Sequence, residues 1–337
     1  MPRSVEATGL LHRTAMQDSP PRTLKDVLAA RANVYRYLSR TPLHPYAGLS
    51  ELVGARVYVK HENHHAVRAF KVRGGVQLAA TLSDAERRGG LYTASTGNHG
   101  QSIAFAGKVT GTRVRVAMPE GANPAKVEAI RDLGAEVVIH GKDFDEAREW
   151  IRDQAKSEGA RFIGPTEPQL LPGVGTCALE IMEDQPDTDV IIVPVGAGSG
   201  AAAASLVAKS INPNVRVFAV QAERAPAIYQ SWKAGRPVEA KMETQAEGLA
   251  TRVAHENTLR MILDPKTGID DFILVTDEEM ADAVRLLLEH TRNVSEMGGA
   301  ASLACALKIK ARLAGAKAAL ILSGGNISMP KFRRILG

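Results

Sequence analysis

Four short stretches of the sequence carry residue types that could do chemistry together. The first, NHHAVRAFKVRGG (63–75), sets Lys71 beside an apolar flank, with Arg73, Gly74 and Gly75 close behind it. A lysine is usually a solvated surface group, so its meaning depends on the other three. STGNHGQS, Ser95 to Ser102, offers hydroxyls, an amide, an imidazole and backbone N–H groups at a helix start, a set suited to a small anion such as a carboxylate. A plain helix start capped by Ser95 or Asn98 accounts for the same residues equally well. GAGSGAAAA, Gly196 to Ala204, leaves the apolar run DVIIVPV and enters a small-residue helix. Its glycines let a backbone approach a ligand closely, and the helix start favours a phosphate. SGGN, Ser323 to Asn326, places a hydroxyl at a strand end where it can exchange a hydrogen bond with a ring nitrogen, although alone it reads as an ordinary turn.

Taken together, the four are what pyridoxal phosphate requires: a Schiff-base lysine, a phosphate cradle, a partner for the pyridine nitrogen and a seat for the substrate carboxylate. A nucleotide-dependent dehydrogenase is the rival reading. Gly196, Gly198 and Ala201 fit the dinucleotide fingerprint, and Glu223 closes the next strand where a ribose-binding acid would sit. That reading leaves Lys71 and the SGGN turn without a use.

The elements that must position these turns are legible as alternation. Short β-branched runs at 56–60, 91–95, 113–118, 136–141, 189–195, 216–221, 271–276 and 318–324 are apolar on consecutive positions, as strands of a parallel sheet covered on both faces are. Between them lie helix signals: Asn123-Pro124 as cap and first residue, and Thr276 with Glu279 as a capping box. The implied class is open α/β, with ligands at the carboxyl ends of strands. A length of 337 residues allows two lobes, and a net charge of +5 with interleaved signs suggests no more than a mild pull on anions. Aromatics at 4% argue against a stacking surface for nucleic acid. Two cysteines, Cys177 and Cys305, exclude a disulfide framework and fit a reducing, cytoplasmic setting. No apolar run is long enough to span a membrane, and residues 1–22 read as a loose arm rather than a secretory signal.

On these motifs the chain resembles the fold-type II pyridoxal-phosphate enzymes, within them the serine/threonine dehydratase and serine racemase group, from about residue 41 to 326. The resemblance implies a two-lobed fold like that of the tryptophan synthase β subunit. Residues 23–79 and 167–337 would form the large cofactor-binding domain and residues 80–166 a small inserted one. It implies Lys71 as the Schiff-base lysine and general base, with Phe70 packed on the ring. Asn98 would lie at the ring's 3′-oxygen, and Gly196, Ala197, Gly198, Ser199 and Gly200 around the phosphate. Glu296, in SEMGGA, would stand near the ring, and Ser323 at its nitrogen. Ser95, Thr96, Gly97, Asn98 and His99 would hold the substrate carboxylate. The implied reaction removes water and then ammonia from a small β-hydroxy-L-amino acid of threonine or serine type, in a homodimer. Racemisation, β-replacement, the dehydration of 3-hydroxyaspartate or phenylserine, and a non-catalytic binding relative are the alternatives.

The sequence departs from the family's pattern in five places. It ends soon after SGGN, without a regulatory domain, so control by isoleucine is not expected. Thr96 stands where racemases of the group have serine. Gln221 and Ala227 replace the racemase's metal carboxylates, so no metal is expected there. Gly173-Val174 replaces the usual Gln-Gly before TCALEI. Finally, the usual Pro-Thr-Gly before the lysine motif has become Ala66-Val67-Arg68. Arg68 either points to solvent or, with His65, pairs with a second carboxylate of an acidic substrate.

Overall fold

Residues 22–337 are described by a computed structural model; all but the last residue of the expected 1–22 arm lies outside them. Ten strands form two sheets: β1 (Leu43–Pro45), β2 (Arg56–His61), β3 (Leu91–Ala94), β4 (Val114–Met118), β5 (Glu136–Ile139), β6 (Arg161–Phe162), β7 (Val190–Pro194), β8 (Arg216–Ala222), β9 (Asp271–Val275) and β10 (Lys317–Leu322). One sheet has the order β1-β2-β10-β7-β8-β9 and the other β5-β4-β3-β6. Among the described residues only β1 runs antiparallel to its neighbour, with Leu43 opposite Lys60. The eight expected strands are all present, with ends that match or differ by one or two residues in either direction. The two that were not expected, β1 and β6, span three and two residues, too short for a periodic signal.

The apolar runs are strands because both faces of each sheet are covered. Every residue of β3 and of β7 is buried. The large sheet packs one face against helices Asp277–Thr291 and Met297–Lys308, through Val57, Val59, Phe218, Leu287 and Leu303. Its other face packs against helices Leu171–Asp184 and Ser199–Ile211, through Ile191, Val193, Ile181 and Val207. The smaller sheet has helix Phe144–Ser157 on one side and helices Lys71–Ala80 and Asn98–Thr110 on the other. The expected caps form: Asn123 Oδ1 accepts from the Ala125 N–H, and Thr276 and Glu279 make a reciprocal capping box.

Helix Lys71–Ala80 is the hinge piece between the sheets, and its glycines set how closely it is approached. A Cβ on Gly75 would lie 2.5 Å from Ser102 Oγ, and one on Gly173 would lie 2.3 Å from the Arg73 carbonyl oxygen. Glycine at these two positions lets helices Asn98–Thr110 and Leu171–Asp184 press directly on the turn that begins with Lys71. That contact accounts for Gly173.

Candidate active site

Three strand ends converge on Lys71. The turn after β3 leads through Gly97 into helix Asn98–Thr110, the turn after β7 leads through Gly198 into helix Ser199–Ile211, and the turn after β10 holds Ser323. Lys71 opens its helix directly behind these turns. Backbone pairing fixes it there: Ala69 bridges Gly324, the Phe70 N–H donates to the Ser323 carbonyl at 3.1 Å, and the Gly325 N–H donates to the Arg68 carbonyl at 2.9 Å. From the other side Ser102 Oγ donates to the Lys71 carbonyl at 2.6 Å.

The side chains meeting at the cleft are few and weakly solvated. Lys71 Nζ lies 5.2 Å from the centre of the Phe70 ring. Burial pushes the Lys71 amine down to about 8, with the Glu296 carboxylate holding it back from a further fall. Burial likewise pushes the Glu296 carboxyl up to about 7, against the hydrogen bond that Asn98 Nδ2 donates to its Oε1 at 2.7 Å. Asn98 is itself held, its Oδ1 accepting from Asn326 Nδ2 at 2.7 Å. His99 is driven down to about 3 by burial and then by the Lys71 charge, so its ring is neutral. Its Nε2 lies 3.3 Å from the Ile163 carbonyl.

Neither Ser95 nor Asn98 is the helix cap. Gly97 takes that position, Ser95 Oγ accepts from the Gly97 N–H at 3.2 Å, and Asn98 is the first helical residue, its amide turned to Glu296 instead. The carboxamide is bonded across the cleft, and of the turn's N–H groups those of Ser95 and Gly97 are taken, by the Ala117 carbonyl and by Ser95 Oγ.

The glycine turn after β7 has the features of an anion cradle. Gly198 sits at φ 95°, in the left-handed region that glycine adopts freely, and the thirteen-residue helix after it starts with no side-chain cap. Thr258 Oγ1 donates to the Ala197 carbonyl at 2.9 Å, fixing the turn from outside. A Cβ on Gly196 would strike the Gly248 carbonyl oxygen at 2.3 Å, and one on Gly200 would touch the Phe70 ring at 3.5 Å. Phe70, Gly200, Val193, Pro194 and Ser323 also line a small apolar cavity, together with Val174, Cys177, Ala178, Ala204 and Ile321. An apolar ring beside the amine, a hydroxyl at the next strand end, an uncapped helix start and an amine of depressed basicity fit pyridoxal phosphate.

Arg68 is placed apart from this set. It is exposed, lies at φ 54° and forms no ion pair among the described residues. His65 is buried and turned inward, 3.3 Å from Glu62. Gln221 Oε1 accepts from the N–H groups of Ile228 and Tyr229 at 3.2 and 3.1 Å, capping helix Ala227–Ala234 from within. Among the described residues no group of three or more His, Cys, Asp or Glu could hold a metal ion.

Sequence reasoning missed three supports: Ser102 on the Lys71 carbonyl, Asn326 on Asn98, and Thr258 on the glycine turn. Two of them lie inside the quoted motifs. Their partners are 31 and 228 residues away, and no local pattern encodes such a pairing.

The chain matches the family model described as pyridoxal-phosphate dependent enzyme over residues 34–324. It is 38% identical to an L-threonine ammonia-lyase of Thermotoga maritima over 317 residues, 93% of this chain and 78% of that one. Two solved structures share the fold closely. The processed threonine deaminase isoform 2 of Solanum lycopersicum has a TM-score of 0.87 at 29% identity, covering 94% of each chain. Serine racemase of Dictyostelium discoideum has a TM-score of 0.85 at 33% identity, covering 91% of this chain and 99% of that one. The glycine turn at 196–200 lies inside the matched span, which removes the dehydrogenase reading although β7, its helix and β8 do form a nucleotide-type unit. With the amine, the cradle and the Phe70 ring assembled at one set of strand ends, the chain belongs to the fold-type II pyridoxal-phosphate dependent enzymes, in the serine/threonine dehydratase group.

Proposed function

We propose that this protein removes water and then ammonia from a small β-hydroxy-L-amino acid of threonine or serine type, leaving a 2-oxo acid. The observation that carries this is the buried Lys71 amine, over the Phe70 ring and pushed down to about 8, in a helix that opens behind the turns leading into helices Asn98–Thr110 and Ser199–Ile211. Bound pyridoxal phosphate supplies a covalent carbonyl anchor and an electron sink for the substrate's Cα. The N–H groups of Gly196, Ala197, Gly198, Ser199 and Gly200 would hold its phosphate, Phe70 would pack on its ring, Asn98 would serve its 3′-oxygen and the Ser323 hydroxyl its nitrogen. A serine there keeps that nitrogen neutral, which favours quick elimination over slower chemistries. Lys71, its basicity lowered so that a fraction of it is neutral near pH 7, takes the Cα proton. The turn Ser95, Thr96, Gly97, Asn98 and His99 offers its donors to the substrate carboxylate, and neutral His99 adds no charge that would compete with Lys71. Glu296, at about 7, holds or releases a proton beside the ring near neutrality.

Racemisation is the second reading, favoured by the likeness to the Dictyostelium serine racemase. Thr96 in place of serine at the second acid/base position weighs against it. Incubating L-serine in deuterated water and following chirality and pyruvate together decides between the two. Deuterated D-serine in excess of pyruvate would overturn the lyase assignment. A panel of threonine, serine, 3-hydroxyaspartate and phenylserine ranks the substrates, and ammonia release from none of the four would sink it.

The domain limits 23–79 with 167–337, and 80–166, have in their support that β3 to β6 fall between residues 91 and 162 while the six-stranded sheet draws on both flanks. A homodimer in the cytoplasm is the assembly proposed. No helix among the described residues is long and apolar enough to cross a membrane.

A further inference from the structure

Behind Lys71, away from the cleft, four charged side chains are entirely removed from water: Lys60, Glu62, Arg73 and Glu180 are each 0% exposed. Arg73 is their centre. Its Nε and Nη2 reach the two oxygens of Glu62 at 2.6 and 2.8 Å, and its Nη1 and Nη2 reach the two oxygens of Glu180 at 2.6 and 2.8 Å. Nη1 also donates to Thr176 at 3.0 Å and Nη2 to Thr41 at 3.2 Å. Lys60 Nζ completes the set, 2.6 Å from Glu180 and 2.6 Å from the Thr41 carbonyl. Two cations meet two anions, and Tyr35 and His65 border the network.

Removing four charges from water costs several kcal/mol per ion, and well-packed apolar residues would often be as stable or more so. Stability alone therefore does not explain the network, but its attachments do. It ties β2, helix Leu24–Tyr35 and helix Leu171–Asp184 to the first turn of helix Lys71–Ala80, and that turn has no side-chain cap of its own. At 3.6 residues per turn, positions 71 and 73 point about 200° apart around the helix. Arg73 therefore anchors the turn backward while Lys71 projects forward. The rigid, doubly forked guanidinium can hold two carboxylates at fixed angles, which a lysine cannot.

We propose that Arg73, through its twin carboxylate forks to Glu62 and Glu180, is a positioning residue that sets the rotation of the Lys71 turn and so aims the Lys71 amine into the cleft. None of the network's hydrogen bonds reaches the cradle or the carboxylate turn, and Arg73 shares its helix turn with Lys71. This inference rests on the assignment of Lys71 above, and its test separates the two.

The test is Arg73→Lys in the full-length chain, which keeps the charge and loses the forks. In cofactor-free protein, the pH profile of Lys71 modification by an amine reagent is followed by peptide mass spectrometry. Glu296, His99 and His255 are the titratable groups that share the cleft with Lys71 and are unchanged in the variant. In the wild type, modification should rise through about 8. In the variant the midpoint should move toward the ordinary lysine value by about one unit. In the loaded enzyme kcat should fall roughly 100-fold, with KM little changed, as expected of a misaimed group. Thr176→Val, which removes one acceptor from Nη1 and leaves all four charges, should shift both readouts in the same direction by a smaller amount. If thermal stability falls in both variants while the modification profile and kcat stay at wild-type values, the network is structural and the proposal fails. Should Arg73→Lys not fold, an unchanged profile and kcat in Thr176→Val overturns it. Failure of the Lys71 assignment is distinguishable: Lys71→Ala would then retain the cofactor's borohydride-sensitive absorption.

Discussion

The two faces of the Lys71 turn treat charge in opposite ways. On the back face every ion is buried and paired. Burial alone would push Glu62 up, but Arg73 and His65 overcome it and hold the carboxylate well below its usual range, while Arg73 is held above its own. On the cleft face the ions are poorly solvated yet barely paired. Burial wins there, bringing Lys71 down to about 8 and Glu296 up to about 7. Paired burial drives charge states to extremes at which no proton moves near neutrality; unpaired burial draws an acid and a base toward the working pH. One helix turn carries both, two residues apart, so the fixed face can serve as a foundation for the reactive one.

The largest expected effect removes the cleft-face amine. Lys71→Ala should abolish turnover and the borohydride-sensitive absorption of the cofactor, and leave phosphate-loop binding in part. Ammonia release at the wild-type rate would refute the contrast at its root. In the wild type, the rate of covalent cofactor capture should rise with pH until about 8 and then level, because only the neutral amine attacks. A rise continuing to the ordinary lysine value would mean that Lys71 is solvated.

Next comes Glu296. Its folded value lies above its unfolded one, so the native state holds an extra proton between about 4.5 and 7. Stability from this group is present below that window and is lost as pH rises through it. Glu296→Gln keeps an acceptor for Asn98 and cannot lose a proton. Denaturation of cofactor-free protein should therefore show the variant gaining on the wild type by on the order of 1–3 kcal/mol between pH 4.5 and 7. Equal curves across that range would show that the carboxyl is not perturbed. Ser323→Ala should be milder, weakening cofactor binding by about 1 kcal/mol, one hydrogen bond's worth, and slowing elimination while the visible absorption persists.

How far the sequence reached follows the same division. The cleft face was readable because its chemistry sits in contiguous turns: Ser95 to His99, Gly196 to Gly200 and Ser323 are each placed by a strand end, and parallel α/β sheets bring such ends together. The back face was not. Lys60 and Glu62 lie at the end of an ordinary strand run, and Glu180 lies in the apolar segment TCALEI, 120 and 107 residues from its cationic partners Lys60 and Arg73. A charge embedded in a buried apolar run was the available signal, and it shows burial without naming the partner. The sheet architecture was legible from apolar strand runs, whereas β6, two residues long, is held by its pairing with β3 rather than by propensity.

The smallest expected effect concerns Arg68, which belongs to neither face. Its side chain is exposed, but its backbone is fixed at φ 54° by the N–H it donates to the His65 carbonyl and by the N–H its own carbonyl accepts from Gly325. An arginine in the left-handed region is strained by about 1 kcal/mol, strain that a glycine would not carry, although glycine loses more freedom on folding. Arg68→Gly should therefore change stability by less than about 1 kcal/mol, in the stabilising direction. If the exposed guanidinium has no part in choosing substrate, the ratio of kcat/KM for threonine to that for 3-hydroxyaspartate should be the same in variant and wild type. A fall of tenfold or more in preference for the dicarboxylic substrate, about 1.4 kcal/mol in transition-state binding, would bring Arg68 into the cleft after all. That result would require the 63–70 segment to fold over the site when substrate binds, so that a third, mobile face joins the fixed and the reactive ones.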